Sequence, residues 1–176
     1  SPPLLVRALP AEYFFIGYGE EHDSAREFRA ECVVAGIVEF DRGTLDEYTG
    51  LSIAASYFRR YLRGSTDSMG GSRYGPVRLA RDAARPNGGV QLELPPHDIL
   101  PAVIDGVVDR DSTFRGLWPC GTATVPGAGG AGDTTFSLTG RWALCPDSAH
   151  CSLAPSGSGG SPPPVRFEFP PGPRIR

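Results

Sequence analysis

The sequence predicts an α+β domain that is predominantly antiparallel β, a sheet, sandwich or barrel of about 7–8 strands with one amphipathic helix. Three observations support this fold class. Short segments of alternating apolar and polar residues recur along the chain. Glycine (23 residues) and proline (18 residues) separate these segments, and a single segment has helical spacing. Strands and helices do not alternate regularly, which argues against a doubly wound parallel sheet.

Two strands are predicted in the first quarter of the chain. Residues 11–18 form a short aromatic run, typical of a buried strand, that ends at Gly19. Residues 27–41 show the clearest alternation in the chain, and the middle of their second face is apolar as well. We therefore expect residues 27–41 to form a central strand that is covered on both sides.

A helix is predicted at about residues 45–63. Thr44 and Glu47 match a capping box, acids occupy the first turn and arginines the last. The apolar residues keep spacings of three and four: Tyr48, Leu51, Ala55, Phe58 and Leu62. Gly50 would cost the helix about 1 kcal/mol relative to alanine. We therefore expect another part of the chain to pack closely against Gly50.

Further strands are predicted after a loop at residues 64–76. Residues 77–85 fit either a strand or a short helix, and a turn signal follows at residues 86–89. The remaining strands are expected at residues 90–94, 102–109, 113–124 and 134–144. We assign residues 1–154 to a single β-rich domain and residues 155–176 to a Gly/Ser/Pro linker with a strand-like tail.

The composition excludes several classes of chemistry. All 17 basic residues are arginine, so Schiff-base catalysis and the lysines of P-loops and kinases are absent, and no cofactor is predicted. This skew is typical of GC-rich coding sequences and suits a viral accessory or structural protein; a surface selected to lack lysine is the alternative. Residues 1–57 carry a net charge of −6 and residues 58–85 a net charge of +5, which predicts self-complementarity within the fold.

The cysteines leave three possibilities open. Cys120, Cys145, His150 and Cys151 are the residue types that zinc prefers, although they lack the Cys-x2-Cys spacing of a typical site. A disulfide could join Cys145 to Cys151, or Cys120 to one of them. Free cysteines at strand ends are the third possibility. We expect no bound metal.

A hydrolase-like enzyme is one alternative function. His97 and Asp98 could converge with Asp105, Asp109 and Asp111 in a cleft, where they would act as acid and base. Turn formation explains the same aspartates without any catalysis. The chain also has no Gly-x-Ser-x-Gly nucleophile motif. We therefore do not expect an enzyme.

The favoured function is non-enzymatic binding of another protein, or self-association. Arginine interleaved with tyrosine is enriched at protein interfaces, and the same pattern would suit a nucleic-acid-binding module that uses residues 57–85. The tail alternates apolar and charged residues between prolines, which suits strand addition to a partner or a return to its own domain. The predicted partner-binding residues are Arg59, Arg60, Arg63, Arg73, Tyr74, Phe167 and Phe169. No run of 18 apolar residues occurs, so no membrane span is predicted.

Overall fold

The computed structural model describes residues 2–22, 28–61, 66–69, 73–94, 103–125, 132, 134–149 and 151–153. These residues contain nine strands and no helix. The strands are β1 (Ala11–His22), β2 (Phe28–Gly43), β3 (Glu47–Tyr61), β4 (Thr66–Met69), β5 (Arg73–Arg81), β6 (Gly89–Glu93), β7 (Val103–Val108), β8 (Phe114–Val125) and β9 (Thr134–Cys145). None of the described residues belongs to a helix, so none of them forms a helical membrane span.

Eight of the strands form a closed antiparallel barrel, which confirms the barrel among the predicted architectures. The order around the barrel is β2-β1-β9-β8-β7-β6-β5-β3, and pairing of β2 with β3 closes it. β4 pairs with the last part of β3, beyond the part that pairs with β5, so a strand lies within the predicted loop at 64–76. The ambiguous segment 77–85 supplies the end of β5 and a turn.

The helix predicted at 45–63 is wrong, because residues 47–61 form strand β3. The two residues of the expected capping box form a hairpin turn instead. The amide of Thr44 donates to the carbonyl of Glu47 at 2.8 Å, and the Thr44 hydroxyl accepts from the amide of Asp46 at 3.3 Å. The close approach expected at Gly50 does exist, but between strands: a Cβ on Gly50 would lie 1.7 Å from the carbonyl oxygen of Glu39.

A bulge explains why β3 has helical spacing. Pairing with β2 proceeds from Ile37–Ile53 to Ala35–Ser56, so β3 contains one more residue than its partner over this interval. A bulge breaks the period of two that marks a strand in sequence. Pairing with β2 on one edge and with β5 on the other then outweighs the helix propensity of the segment.

The interior of the barrel is filled by large apolar side chains from the described parts of the strands. Tyr13 packs edge-on against Phe40, with ring centroids 5.8 Å apart, and Phe15 lies 6.1 Å from Trp142. The largest fully buried side chains of this core are Trp142, Tyr13, Phe40, Phe114, Leu79, Leu92, Ile104 and Leu144. An eight-stranded barrel is just wide enough for such side chains to fill it.

The N-terminal segment, residues 2–10, covers the end of the barrel where β2 turns into β3. Leu4 and Leu5 are buried in the core, and the amide of Leu4 donates to the carbonyl of Leu45 at 3.3 Å. The amide of Val6 donates to the hydroxyl of Tyr13 at 3.2 Å. Burial raises the pKa of Tyr13. This end of the barrel is therefore closed by packed side chains.

Candidate functional site: the groove between β7 and β8

The ladder between β7 and β8 is short. Within the described residues it consists of two pairs, Val107 with Arg115 and Val108 with Phe114. Continuing this register would place Asp105 opposite Leu117. Instead, the indole nitrogen of Trp142 on β9 donates to the carbonyl of Asp105 at 3.0 Å. A side chain from inside the barrel therefore takes the place of a ladder partner.

Two glycines make room for this indole. A Cβ on Gly106 would lie 2.5 Å from the Trp142 ring, and a Cβ on Gly116 would lie 2.5 Å from its nitrogen and 1.9 Å from the carbonyl oxygen of Asp105. Real Cβ contacts are never this short, so both positions require glycine. These glycines allow Trp142 to reach the backbone of β7.

A groove of about 570 Å³ lies beside the end of this ladder, and we refer to it as the β7–β8 groove. It is lined by Arg85, Val103, Ile104, Asp105, Gly106, Val107, Arg115, Gly116 and Leu117. Leu117 is 74% exposed, the highest value for a large apolar residue in the described part of the chain. Val103 and Val107 are also exposed, at 48% and 46%. A cluster of exposed apolar side chains is typical of a surface that contacts a partner.

Polar groups border the groove on its β6 side. The side-chain amide of Gln91 donates to the carboxylate of Asp105 at 3.1 Å. The guanidinium of Arg85 lies 3.5 Å from the same carboxylate and donates to Asp82 at 2.7 Å. The apolar centre of the groove therefore has a charged, solvent-exposed rim, which is the general arrangement of protein interfaces.

Arg115 lies at the end of the groove that is next to the turn between β7 and β8, and its side chain is buried. Its guanidinium donates to Asp109 at 2.9 Å and to both carboxylate oxygens of Asp111 at 2.9 and 2.8 Å. Its Nε donates to the carbonyl of Ser152 at 3.2 Å. The hydrogen bonds from Arg115 hold the pKa of Asp111 at about 2. Charge-assisted bonds of this kind fix the turn between β7 and β8.

These contacts bear on the alternative of a hydrolase-like enzyme. Asp109 and Asp111 are engaged by Arg115, and Asp105 is engaged by Gln91. A carboxylate with a pKa of about 2 is a poor general acid or base at neutral pH. His97 and Asp98 lie outside the described residues. The described aspartates therefore act as turn and ion-pair residues.

The chain crosses the outer wall of the barrel after β9. We call residues 146–149 and 151–153 the C-terminal strap. A disulfide joins Cys145 to Cys151, with a Cα–Cα distance of 5.4 Å. Cys151 and Leu153 pack over Ile16 and Ala143, and the Ser152 carbonyl reaches Arg115. Ser152, one residue before the described chain stops, thus lies beside Arg115 at one end of the β7–β8 groove.

The disulfide selects among the possibilities that the sequence left open for the cysteines. Cys145 and Cys151 are bonded to each other, so neither is a thiolate ligand for zinc. His150 lies outside the described residues, and the Cys120 side chain does too. In the part of the chain that is described, no three His, Cys, Asp or Glu side chains are grouped to hold a metal ion.

The predicted Arg/Tyr contact is described only in its backbone. Arg59 lies opposite Asp67 of β4 and Cys32 of β2, and Arg60 lies opposite Glu31. Arg73 and Tyr74 begin β5. Arg63, Phe167 and Phe169 lie outside the described residues. The described residues therefore do not test whether these positions form one surface, and the contact stays a prediction.

Two other arginines of the 57–85 stretch are paired with acids that lie outside the stretch. The guanidinium of Arg78 donates to Glu47 at 2.8 Å and to Glu93 at 2.9 Å. Arg81 donates to Asp46 at 2.6 Å. The bond from Arg78 lowers the pKa of Glu47. For these residues the predicted charge complementarity between the acidic first third and the basic middle of the chain is confirmed.

Sequence reasoning did not find the β7–β8 groove. Two signals were available in the strand that begins at residue 114: an arginine in an otherwise apolar run, and a glycine before Leu117. Neither residue identifies its partners, because Trp142 and Ser152 come from later in the chain. Comparison with known proteins gives no match to a family model, to a curated protein or to a solved structure.

Proposed function

We propose that this barrel is a non-enzymatic protein-binding module that holds an extended apolar segment in the β7–β8 groove. The observation that carries the proposal is the exposure of Leu117, Val103 and Val107 around the place where the described β7–β8 ladder ends. Extended peptides bind such places by packing alternate side chains into the groove and by pairing with nearby main-chain groups.

The alternatives receive less support from the described residues. A nucleic-acid-binding module would need free arginines, whereas Arg78, Arg81 and Arg85 are in ion pairs. A hydrolase would need carboxylates that titrate near neutral pH, whereas Asp111 does not. The contact predicted at Arg59, Arg60, Arg63, Arg73 and Tyr74 is a second candidate surface for the same function.

The test is an NMR titration of the full chain, labelled at its valine and leucine methyl groups. The probe is a synthetic peptide of alternating phenylalanine and charged residues, and a peptide with serine in place of phenylalanine is its control. We expect saturable shifts at the methyl groups of Val103, Val107 and Leu117. Shifts spread evenly over the barrel, or none, would overturn the proposal.

A pair of matched variants makes the test specific. Leu117→Ser removes an apolar side chain from the groove, and Leu45→Ser removes one that is 54% exposed on the β2–β3 turn. Loss of one buried leucine contact weakens binding by about tenfold. We expect that loss for Leu117→Ser only. Salt-dependent binding of an oligonucleotide that Leu117→Ser leaves unchanged would favour the nucleic-acid alternative instead.

A further inference from the structure

We propose that the β7–β8 groove is occupied by the chain's own C-terminal tail, residues 165–169, which bind in cis and must leave before another segment can enter. This inference rests on the proposed function, because it names the ligand that regulates the same groove. The tail lies outside the described residues, so the argument depends on the groove, on where the described chain stops, and on the sequence that follows.

The described chain stops next to the groove. Arg115 lines the groove and donates through Nε to the carbonyl of Ser152 at 3.2 Å. The Cys145–Cys151 disulfide fixes the strap that carries Ser152 to the barrel wall. The linker to the tail therefore begins at a segment that is bonded to the barrel wall at one end of the groove.

The connection to the tail has a suitable length. Residues 154–164 are mainly Ser, Gly and Pro. A flexible linker of this size has a root-mean-square span of about 18 Å and a maximum reach of about 36 Å. Both distances exceed the length of the short stretches of β7 and β8 that line the groove. Because the linker is short, the effective concentration of the tail at the groove is in the millimolar range.

The sequence of the tail matches the chemistry of the groove. Val165, Phe167 and Phe169 alternate with Arg166 and Glu168. One face of an extended tail is therefore apolar and fits the exposed Val103, Val107 and Leu117, while the other is charged and stays in water. Prolines before and after the segment limit its pairing to these few residues.

The affinity that this arrangement requires is low. At a millimolar effective concentration, a tail that would bind as a free peptide with a Kd of about 0.1 mM occupies the groove in about nine of ten molecules. An added peptide then binds about tenfold more weakly than it would to an open groove. The tail thus sets the affinity that a partner segment needs in order to displace it from the groove.

The test compares the full chain with two double variants. Phe167→Ser/Phe169→Ser removes the apolar face of the tail, and Arg166→Ser/Glu168→Ser alters the charged face of the same segment. We expect nuclear Overhauser contacts between the Leu117 methyl groups and phenylalanine rings in the wild type and in the charged-face variant, but not in the apolar-face variant. We also expect the alternating probe peptide to bind about tenfold more tightly to the apolar-face variant.

The outcomes separate this inference from the proposed function. If the probe peptide binds the groove of all three proteins equally and no ring contacts are seen, the in cis tail is overturned and the binding function stands. If the peptide does not bind even the apolar-face variant, both fail. If contacts occur only between labelled and unlabelled chains in a mixed sample, the tail binds a second copy, and the in cis inference is overturned.

Discussion

Asp105 and Trp142 are joined by a 3.0 Å hydrogen bond from the indole nitrogen to a main-chain carbonyl. Trp142 lies on β9, which does not neighbour β7 in the barrel. Its indole reaches β7 because Gly106 and Gly116 have no side chains to block it. The carbonyl is satisfied without pairing to β8, so the interruption of the ladder does not leave a buried polar group without a partner. Trp142 thus anchors the backbone of β7 beside the β7–β8 groove from inside the barrel.

Replacing Trp142 with phenylalanine should therefore loosen the groove. The substitution keeps an aromatic ring but removes the donor to Asp105, which costs about 1–3 kcal/mol in unfolding free energy. We expect faster amide exchange at Gly106 and Gly116 than elsewhere in β7 and β8. Urea unfolding followed by circular dichroism and residue-resolved hydrogen exchange would measure the two effects.

Phe15→Leu is the control for this variant, because Phe15 packs 6.1 Å from Trp142 and has no indole donor. It should lower stability through lost packing but leave exchange at the two glycines unchanged relative to their neighbours. The same exchange pattern in both variants would contradict the role given to the indole.

Asp111 should make stability depend on pH in the acid range. Its pKa in the folded protein is about 2, below the ordinary value of 3.8, because of the hydrogen bonds from Arg115. The ion pair therefore stabilises the fold above about pH 4, and this contribution is lost as the pH falls towards 2. The carboxylate is 36% exposed, so we expect about 1 kcal/mol, reduced by solvent screening.

The measurement is the difference in unfolding free energy between wild type and Asp111→Asn at pH 6 and at pH 2.5. The difference should shrink at the lower pH. In an Arg115→Met background the same comparison should depend less on pH, because the amide of Thr113 then remains as a donor to the carboxylate. A constant difference with Arg115 present would show that the pair contributes nothing to stability.

Gly50→Ala distinguishes the strand from the helix that the sequence predicts. In a helix the substitution would stabilise by about 1 kcal/mol. In β3 the new Cβ would lie 1.7 Å from the Glu39 carbonyl oxygen, so we expect a loss of about 2–3 kcal/mol from forced displacement of β2. Gly132→Ala, which has no heavy atom within 4 Å of the added Cβ, should be nearly neutral. Stabilisation by Gly50→Ala in denaturant unfolding would refute strand β3.

Removing the disulfide should release the C-terminal strap. The bond spans a sequence separation of 6, and a loop of this size contributes about 2 kcal/mol in the chain-entropy model. We expect Cys145→Ala/Cys151→Ala to lose that amount in denaturant unfolding. We also expect protease cleavage within residues 146–153, identified by mass spectrometry. Equal stability and an uncut strap would show that packing over Ile16 and Ala143 holds the segment without the bond.

Regular strands could be predicted from the sequence because one of their faces packs in the barrel. Residues 11–18 are an aromatic run and residues 134–144 alternate, and they form most of β1 and β9. Residues 45–63 could not be assigned in this way, because the extra residue between Ile53 and Ser56 disrupts the alternation that reveals a strand. A capping pattern that also suits a hairpin turn made the error stronger.

The groove could not be predicted because its parts meet only when the barrel closes. Asp105 and Trp142 are 37 residues apart, as are Arg115 and Ser152. The sequence predicts the turn at residues 109–112, but it does not predict the ion pairs that Asp109 and Asp111 form with Arg115. The aspartates that suggested catalysis there are the partners of a buried arginine, and a sequence does not show which arginine will be buried.

The order of the strands has a consequence for how the chain folds. Neighbours in the barrel follow one another along the chain, apart from β1 and β9, which join its two ends through six residue pairs from Phe14–Cys145 to Gly19–Gly140. Hairpins between sequence neighbours form within microseconds, whereas joining distant strands first requires closing a long loop. We therefore expect barrel closure at β1 and β9 to be the slow step of folding. Substitutions in that ladder should change the rate of unfolding more than the rate of hairpin formation.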